Sequence, residues 1–177
     1  MKRAIFLDRD GTLNISYDNG LNTSPPNSVD EIVIIDGVIT GLKILRSFNF
    51  EIVIITNQPD YRRGNNSLEN LILINNTICE LLEIKHSYVC LHDELDGCNC
   101  RKPKNGLILQ AAQDLDIDLS KSYLIGDRIT DVQAGIESGC ACYLIANKEI
   151  SSELPYTRVL SLLEASNLIS KKEDSNG

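Results

Sequence analysis

Two carboxylates stand one residue apart at Asp8 and Asp10, directly behind the apolar run Ala4-Ile5-Phe6-Leu7 and ahead of Gly11-Thr12. Such an abrupt change from apolar to acidic is what a buried strand leaves at its carboxyl end, where open α/β sheets bind ligands. Acids this close repel each other, and a cation is the natural way to keep both ionised. Asp8 is then placed to attack an electrophile while Asp10 handles the proton. Asp and Gly are also ordinary turn residues, so this stretch alone does not decide between chemistry and a bend.

Two further strand ends repeat the pattern. Glu51-Ile52-Val53-Ile54-Ile55 is β-branched after Glu51 and ends in Thr56-Asn57-Gln58. Ser122-Tyr123-Leu124-Ile125 ends in Gly126-Asp127-Arg128, with Asp131 soon after. In a parallel sheet these ends share one edge with Asp8 and Asp10. Acids converging there suit a hard cation such as Mg²⁺, which takes oxygen ligands and phosphate partners. Thr56 and Asn57 can donate to phosphate oxygens, and Lys102 or Lys104 can supply charge to a phosphoryl transition state.

The elements that must hold these groups follow from periodicity. Val38, Leu42 and Leu45 trace a helix ending near Asn49. Ser67 is a plausible N-cap for a helix with Leu68, Leu71, Ile72, Ile78, Leu81 and Leu82 on one face. His86 falls at that helix's end, where it reads as a solvated capping residue. Ser87 to Leu91 reads as a short strand, and Cys140 to Ala146 as another. Helices are expected from about Asn105 to Leu115 and from about Thr130 to Ser138, the second closed by Gly139. A short strand near Thr157 to Leu160 and a helix through Leu168 complete the pattern. Asn14 to Asp30, with Asn19-Gly20 and Pro25-Pro26, is a loop, and Glu31 to Ile35 a brief strand. Strand and helix alternate, which predicts an α/β, Rossmann-like three-layer sandwich with a mostly parallel central sheet. One domain over 1–169 is expected, with a disordered tail over 170–177 and no stretch long enough for a large cap domain.

The composition narrows the function classes. The chain has 177 residues and a net charge of −8, which argues against a nucleic-acid partner, since those binders carry a basic face. No apolar run reaches membrane-spanning length, and no leader is visible, so a cytoplasmic protein with a small-molecule partner is expected. Nothing points to an obligate assembly, and a monomer is expected. In that compartment six cysteines read as metal ligands or free thiols.

The ordered set of motifs resembles the haloacid dehalogenase (HAD) superfamily of aspartate-nucleophile phosphatases. It comprises Asp-x-Asp-Gly-Thr at the start, Thr-Asn-Gln after the second strand, a lysine before a later helix, and Gly-Asp-x-x-x-Asp. The resemblance implies Asp8 as nucleophile through a phosphoaspartyl intermediate and Asp10 as general acid/base. It implies Mg²⁺ held by Asp8, the Asp10 backbone carbonyl and Asp127, with Asp131 supporting the metal or orienting Lys102. Thr56 and Lys102 would grip the transferring phosphoryl group.

Within the superfamily, Arg-Asp-Gly-Thr-Leu-Asn, Thr-Asn-Gln and Cys-Arg-Lys-Pro resemble a small zinc-containing branch. That branch includes D-glycero-D-manno-heptose 1,7-bisphosphate 7-phosphatases and histidinol-phosphate phosphatases. Its structural Zn²⁺ ligands map onto Cys90, His92, Cys98 and Cys100, a closed tetrahedral set on a small loop. The resemblance implies substrate contacts at Asn57, Gln58, Arg63, Arg101 and Arg128. It implies a Mg²⁺-dependent phosphatase of a small sugar phosphate, a heptose bisphosphate first and histidinol phosphate or another small phosphomonoester as the alternative. A phospho-accepting receiver module lacks the paired Asp10, and an inert zinc scaffold does not need Asp8, Asp10, Lys102 and Asp127 together.

Overall fold

The computed structural model describes residues 1–18, 23–148 and 152–176. Its centre is a six-stranded sheet in the order β5-β4-β1-β6-β7-β8, parallel throughout. These strands are β1 (Arg3–Leu7), β4 (Phe50–Asn57), β5 (His86–Cys90), β6 (Tyr123–Gly126), β7 (Ala141–Ile145) and β8 (Thr157–Val159). The remaining pair, β2 (Tyr17–Asp18) and β3 (Thr23–Ser24), forms a separate antiparallel ribbon. The helices are α1 (Val38–Ser47), α2 (Leu68–Leu81), α3 (Gly106–Leu115), α4 (Ile129–Glu137) and α5 (Leu162–Asn176).

The sheet separates two cores, and the strands that serve both show why they read as unbroken apolar runs. Ile5 and Leu7 of β1 face one core, with Ile52 and Ile54 of β4 and residues of α1, α2 and α5. Ala4 and Phe6 face the other, with Val53 and Ile55 and residues of α3 and α4. Period-two alternation therefore sorts residues between two apolar layers instead of between core and water.

The strand order places the site. The chain runs outward from β1 through β4 to β5, then crosses to β6 on β1's other side. A crevice forms at the carboxyl ends of strands flanking such a reversal. Register puts Leu7 beside Ile125 and Ile54, so Asp8, Thr56 and Asp127 emerge together. The Asp8 amide donates to the Ile125 carbonyl at 3.1 Å, tying the first acid to β6.

Several local expectations need correction. The stretch Glu31 to Ile35 is no strand: a 3₁₀ turn covers Val29–Glu31, and Ile34 makes one bridge to Asn14. His86 does not cap a helix; it opens β5 beside Val53, 4.0 Å from Glu51. The Asn19-Gly20 turn lies outside the described residues. The polar C-terminal stretch is no loose tail, because α5 runs through it. Glu173 pairs with Arg3 and accepts from the Tyr123 hydroxyl at 3.2 Å, and Lys172 lies 5.3 Å from the centre of the Tyr143 ring. Composition hid these contacts, since each joins a polar residue to one far away in sequence.

Truncation after Ser170 is therefore expected to cost about 1–2 kcal/mol, lowering Tm by roughly 2–8 °C in a chain of this size. Thermal melts of the full and shortened chains check this; coincident curves would show that the last turns of α5 add nothing.

Candidate active site

The turn after β1 folds tightly because the Arg9 carbonyl accepts from the Leu13 amide at 2.8 Å. Gly11 has φ +88°, and a Cβ there would lie 2.3 Å from Asp127 Oδ2. Only glycine lets the first turn and the Asp127 carboxylate approach this closely.

Lys102 is the hub. Its side chain is buried, and its ammonium reaches Asp8 Oδ1 at 2.7 Å, Asp131 Oδ1 at 2.6 Å and the Ile55 carbonyl at 2.9 Å. A lysine ammonium has three donors, so all are used. Burial opposes its charge, but Asp131 and Asp8 outweigh that and raise its pKa. Asn57 clamps the Lys102 backbone from both sides, accepting from its N–H at 3.1 Å and donating to its carbonyl at 3.0 Å. Asp131, in the first turn of α4, also accepts from the Arg128 amide at 3.0 Å.

Asp10 sits in a separate cradle. Arg9 grips it through Nε at 3.2 Å and Nη2 at 2.9 Å, Asn14 donates at 2.9 Å and Gln58 at 2.6 Å. Gln58 also donates to the Thr56 hydroxyl at 3.0 Å. Arg9 is fully buried, an unusual cost that this carboxylate offsets.

Oxygens of Asp8, Asp127 and Asp131 lie within 4.8 Å of one another. Burial first, then the Asp131 and Asp127 charges, lift Asp8 to about 7 despite Lys102. Burial and Asp131 likewise lift Asp127 to about 6. Asp127 Oδ1 is buried without a hydrogen-bond partner. An orphaned carboxylate oxygen among crowded acids is the donor set that a hard divalent cation satisfies, so the residues fit Mg²⁺.

The second cluster stands where β5 ends. The Cys90, Cys98 and Cys100 sulfurs are 3.8, 3.2 and 3.5 Å apart pairwise. His92 Nδ1 lies 3.6 Å from Cys90 and 3.2 Å from Cys100. Disulfides need about 2.05 Å, whereas a tetrahedral zinc with arms of about 2.3 Å spaces its sulfurs about 3.8 Å apart. The four donors fit Zn²⁺ and leave no open position. Between them, Asp93 and Asp96 cap a 3₁₀ turn over Glu94–Asp96 with a reciprocal box.

A cavity of about 920 Å³ opens over Asp8 and Asp10. Of the residues that the resemblance implies as substrate contacts, Asn57, Arg63, Arg101 and Arg128 line it, and Gln58 donates to Asp10 instead of lining it. Arg63 is paired with Asp93, and Arg101 with Glu94 at 3.4 Å and the His92 carbonyl at 3.3 Å. Of the two candidate lysines, Lys102 reaches the acids, while Lys104 donates to the Cys98 carbonyl at 2.5 Å. The sequence reading missed Arg9, Asn14 and the acids Asp93, Glu94 and Asp96 of the Cys/His loop. An arginine between two acids was a usable signal for the first; no local pattern marks the others.

An all-parallel sheet with this order, an acid pair at its first strand and further acids at the facing strand end define the HAD-like hydrolases. A family model for HAD-hydrolase-like proteins matches residues 99–154. The D-glycero-β-D-manno-heptose-1,7-bisphosphate 7-phosphatase of Haemophilus influenzae is 36% identical over 147 residues, covering 77% of each chain. The α-configured counterpart from Campylobacter jejuni is 28% identical over 97% of this chain and 98% of its own. Among solved structures, D,D-heptose 1,7-bisphosphate phosphatase from B. bronchiseptica, complexed with magnesium and phosphate, superposes with a TM-score of 0.82. It shares 27% identity, with 97% of this chain and 99% of that one covered. The chain belongs to the HAD-like hydrolase family, among relatives named heptose-1,7-bisphosphate 7-phosphatases.

Two measurements check the metal sites. Protons and Mg²⁺ compete for Asp8 and Asp127, whose folded pKa values are raised. The Mg²⁺-induced rise in Tm is therefore expected to be largest well above about 7 and to fade as pH falls through about 7 and then about 6. Asp127→Asn removes most of it; a shift indifferent to both pH and this substitution would place the cation elsewhere. Elemental analysis of the purified chain should give about one zinc, and none would end the zinc assignment.

Proposed function

We propose that this chain is a Mg²⁺-dependent phosphatase of a small phosphorylated sugar, releasing the 7-phosphate of a D-glycero-D-manno-heptose 1,7-bisphosphate. The carrying observation is the Asp8 carboxylate, held by Lys102 and grouped with Asp127 and Asp131 under an arginine-lined cavity. The names of its relatives supply the sugar.

Asp8 attacks phosphorus, the new O–P bond forming as the bond to the sugar oxygen breaks. Lys102 holds Oδ1, which fixes the rotation of the attacking carboxylate and sets a positive charge beside the phosphoryl oxygens. Asp10 would serve as the general acid, passing a proton to the departing sugar oxygen. It then takes a proton from the water that cleaves the phosphoaspartyl bond. Thr56 already accepts from Gln58, which leaves its own O–H to donate to a phosphoryl oxygen. Asp8, Asp127 and the Asp10 carbonyl would hold Mg²⁺, with Asp131 behind them. Bound there, Mg²⁺ neutralises the charge that otherwise opposes an anionic nucleophile meeting an anionic substrate.

Asn57 lines the cavity, and both Asn57 and Gln58 also hold groups of the protein itself. Asn57 aims Lys102 through its backbone, and Gln58 steadies Asp10 and Thr56. Arg101, Arg63 and Arg128 on the cavity wall are the contacts for the phosphate that stays on the sugar. The zinc loop, ending two residues before Lys102, fixes the approach of that residue. No helix among the described residues is long and apolar enough to cross a membrane. A cytoplasmic monomer of one domain fits this reading.

Phosphate release from a panel of sugar mono- and bisphosphates, both anomers included, tests the proposal. Asp8→Asn is expected to abolish turnover, and Asp10→Asn to lower kcat by roughly 10²- to 10⁴-fold while leaving Mg²⁺ binding largely intact. Metal-independent release that survives Asp8→Asn would overturn the mechanism. A preference for histidinol phosphate over heptose bisphosphate would overturn the substrate.

A further inference from the structure

The zinc loop does more at the cavity than approach Lys102. It meets the loop following β4 through two forked ion pairs. Arg62 Nε lies 3.1 and 3.2 Å from the two oxygens of Asp96. Arg63 reaches Asp93 through Nε at 2.7 Å and Nη2 at 2.8 Å. The pairs look alike but stand differently. Arg63 and Asp93 both line the cavity; Arg62 and Asp96 do not.

Asp93 also keeps its place without Arg63. Its Oδ1 accepts from the Glu94 amide at 2.6 Å, and its own amide donates to Asp96 at 2.8 Å. The turn therefore closes on itself, and the Arg62–Asp96 pair still joins the two loops. The Arg63–Asp93 pair is solvent-accessible, with side-chain exposures of 42% and 26%. Exposed ion pairs contribute little net stability, because water competes for both charges. A phosphate dianion offers the same planar fork more charge and more acceptor oxygens than a carboxylate does.

From these relations we propose that Asp93 is a specificity-determining residue. It occupies Arg63 in the resting site and yields it to the second phosphate of a bisphosphate substrate, while Arg62–Asp96 keeps the loops together. The proposal rests on the bisphosphate reading given above. The exchange moves no covalent bond. One ion pair opens, another forms on the same guanidinium, and Asp93 turns to water with its backbone contacts intact. A sugar carrying a single phosphate leaves the resting pair undisturbed and gains nothing from Arg63. Asp93 thereby sets how much of Arg63's attraction a bisphosphate can use.

The test compares KM for heptose 1,7-bisphosphate with KM for the matching heptose 7-phosphate, in the zinc- and Mg²⁺-loaded full chain. Asp93→Asn keeps the shape and the turn-capping oxygen but removes the competing charge. It is expected to lower the ratio of bisphosphate KM to monophosphate KM by roughly two- to fivefold. Arg63→Ala should raise that ratio, and in its background Asp93→Asn should have no further effect. Zinc content and Tm of each variant exclude loss of the loop. If Asp93→Asn raises the ratio, Asp93 serves to hold Arg63 in position and the exchange is wrong. An unchanged ratio with a bisphosphate-selective wild type overturns the exchange alone. A wild type that treats both substrates alike overturns the bisphosphate reading, and this proposal with it.

Discussion

A buried ammonium among buried carboxylates governs this molecule. Lys102 lies between Asp8 and Asp131, with its last donor on the Ile55 carbonyl. Removing three acids and one lysine from water is costly, and the attraction repays it only where every donor finds an acceptor. That requirement draws four parts of the chain together: the end of β1, the end of β4, the loop before α3 and the first turn of α4. One positive charge still leaves the cluster net negative, and Asp127 Oδ1 has no partner. Burial first, and the neighbouring acids after it, raise the pKa values of Asp8 and Asp127. A divalent cation would resolve that net negative charge, so the crowding of these acids and their capacity for chemistry have one origin.

Much of the remaining structure keeps Lys102 and Asp10 aimed. The loop carrying Cys90, His92, Cys98 and Cys100 ends just ahead of Lys102, and Asn57 grips the Lys102 peptide from β4. On the other side, Arg9, Asn14 and Gln58 converge on Asp10. These supporting groups are short of freedom: Arg9, Asn14 and Gln58 are almost wholly buried. A site held by buried polar groups is preorganised, which is where most electrostatic catalysis originates. The cavity rim differs. Two of its arginines, Arg63 and Arg101, are paired with the solvent-accessible acids Asp93 and Glu94, and such pairs contribute little net stability.

The fold was legible where one residue's neighbours determine its state. Runs such as Ile52 to Ile55 are apolar on both faces because each face meets a helical layer, and they announce themselves. Ser67 caps α2 as its type and place imply, its hydroxyl accepting from Asn70. The reading failed where distant partners decide. Lys172 and Glu173 look like a frayed tail until Tyr143, Arg3 and Tyr123 are brought beside them. His86 follows a helix in sequence, yet pairing with Val53 makes it a strand residue.

For the site, residue types and spacing alone determined the acids, the cation-seeking cluster, the thiolate set and the alternation that puts strand ends on one edge. Those properties are local, since charge, ligand chemistry and hydrophobic period belong to a residue and its near neighbours. Residue types alone left Lys102 and Lys104 open and the family resemblance chose Lys102; only the tertiary structure decided that Asn57 and Gln58 bond to the protein's own groups and that Arg63 faces Asp93. A hydrogen bond between residues 45 or 48 positions apart has no signature in a linear pattern. It exists because β1 pairs with β4 and β4 with β5, which brings the loops at their carboxyl ends within bonding distance, and geometry at that range is a property of the whole chain.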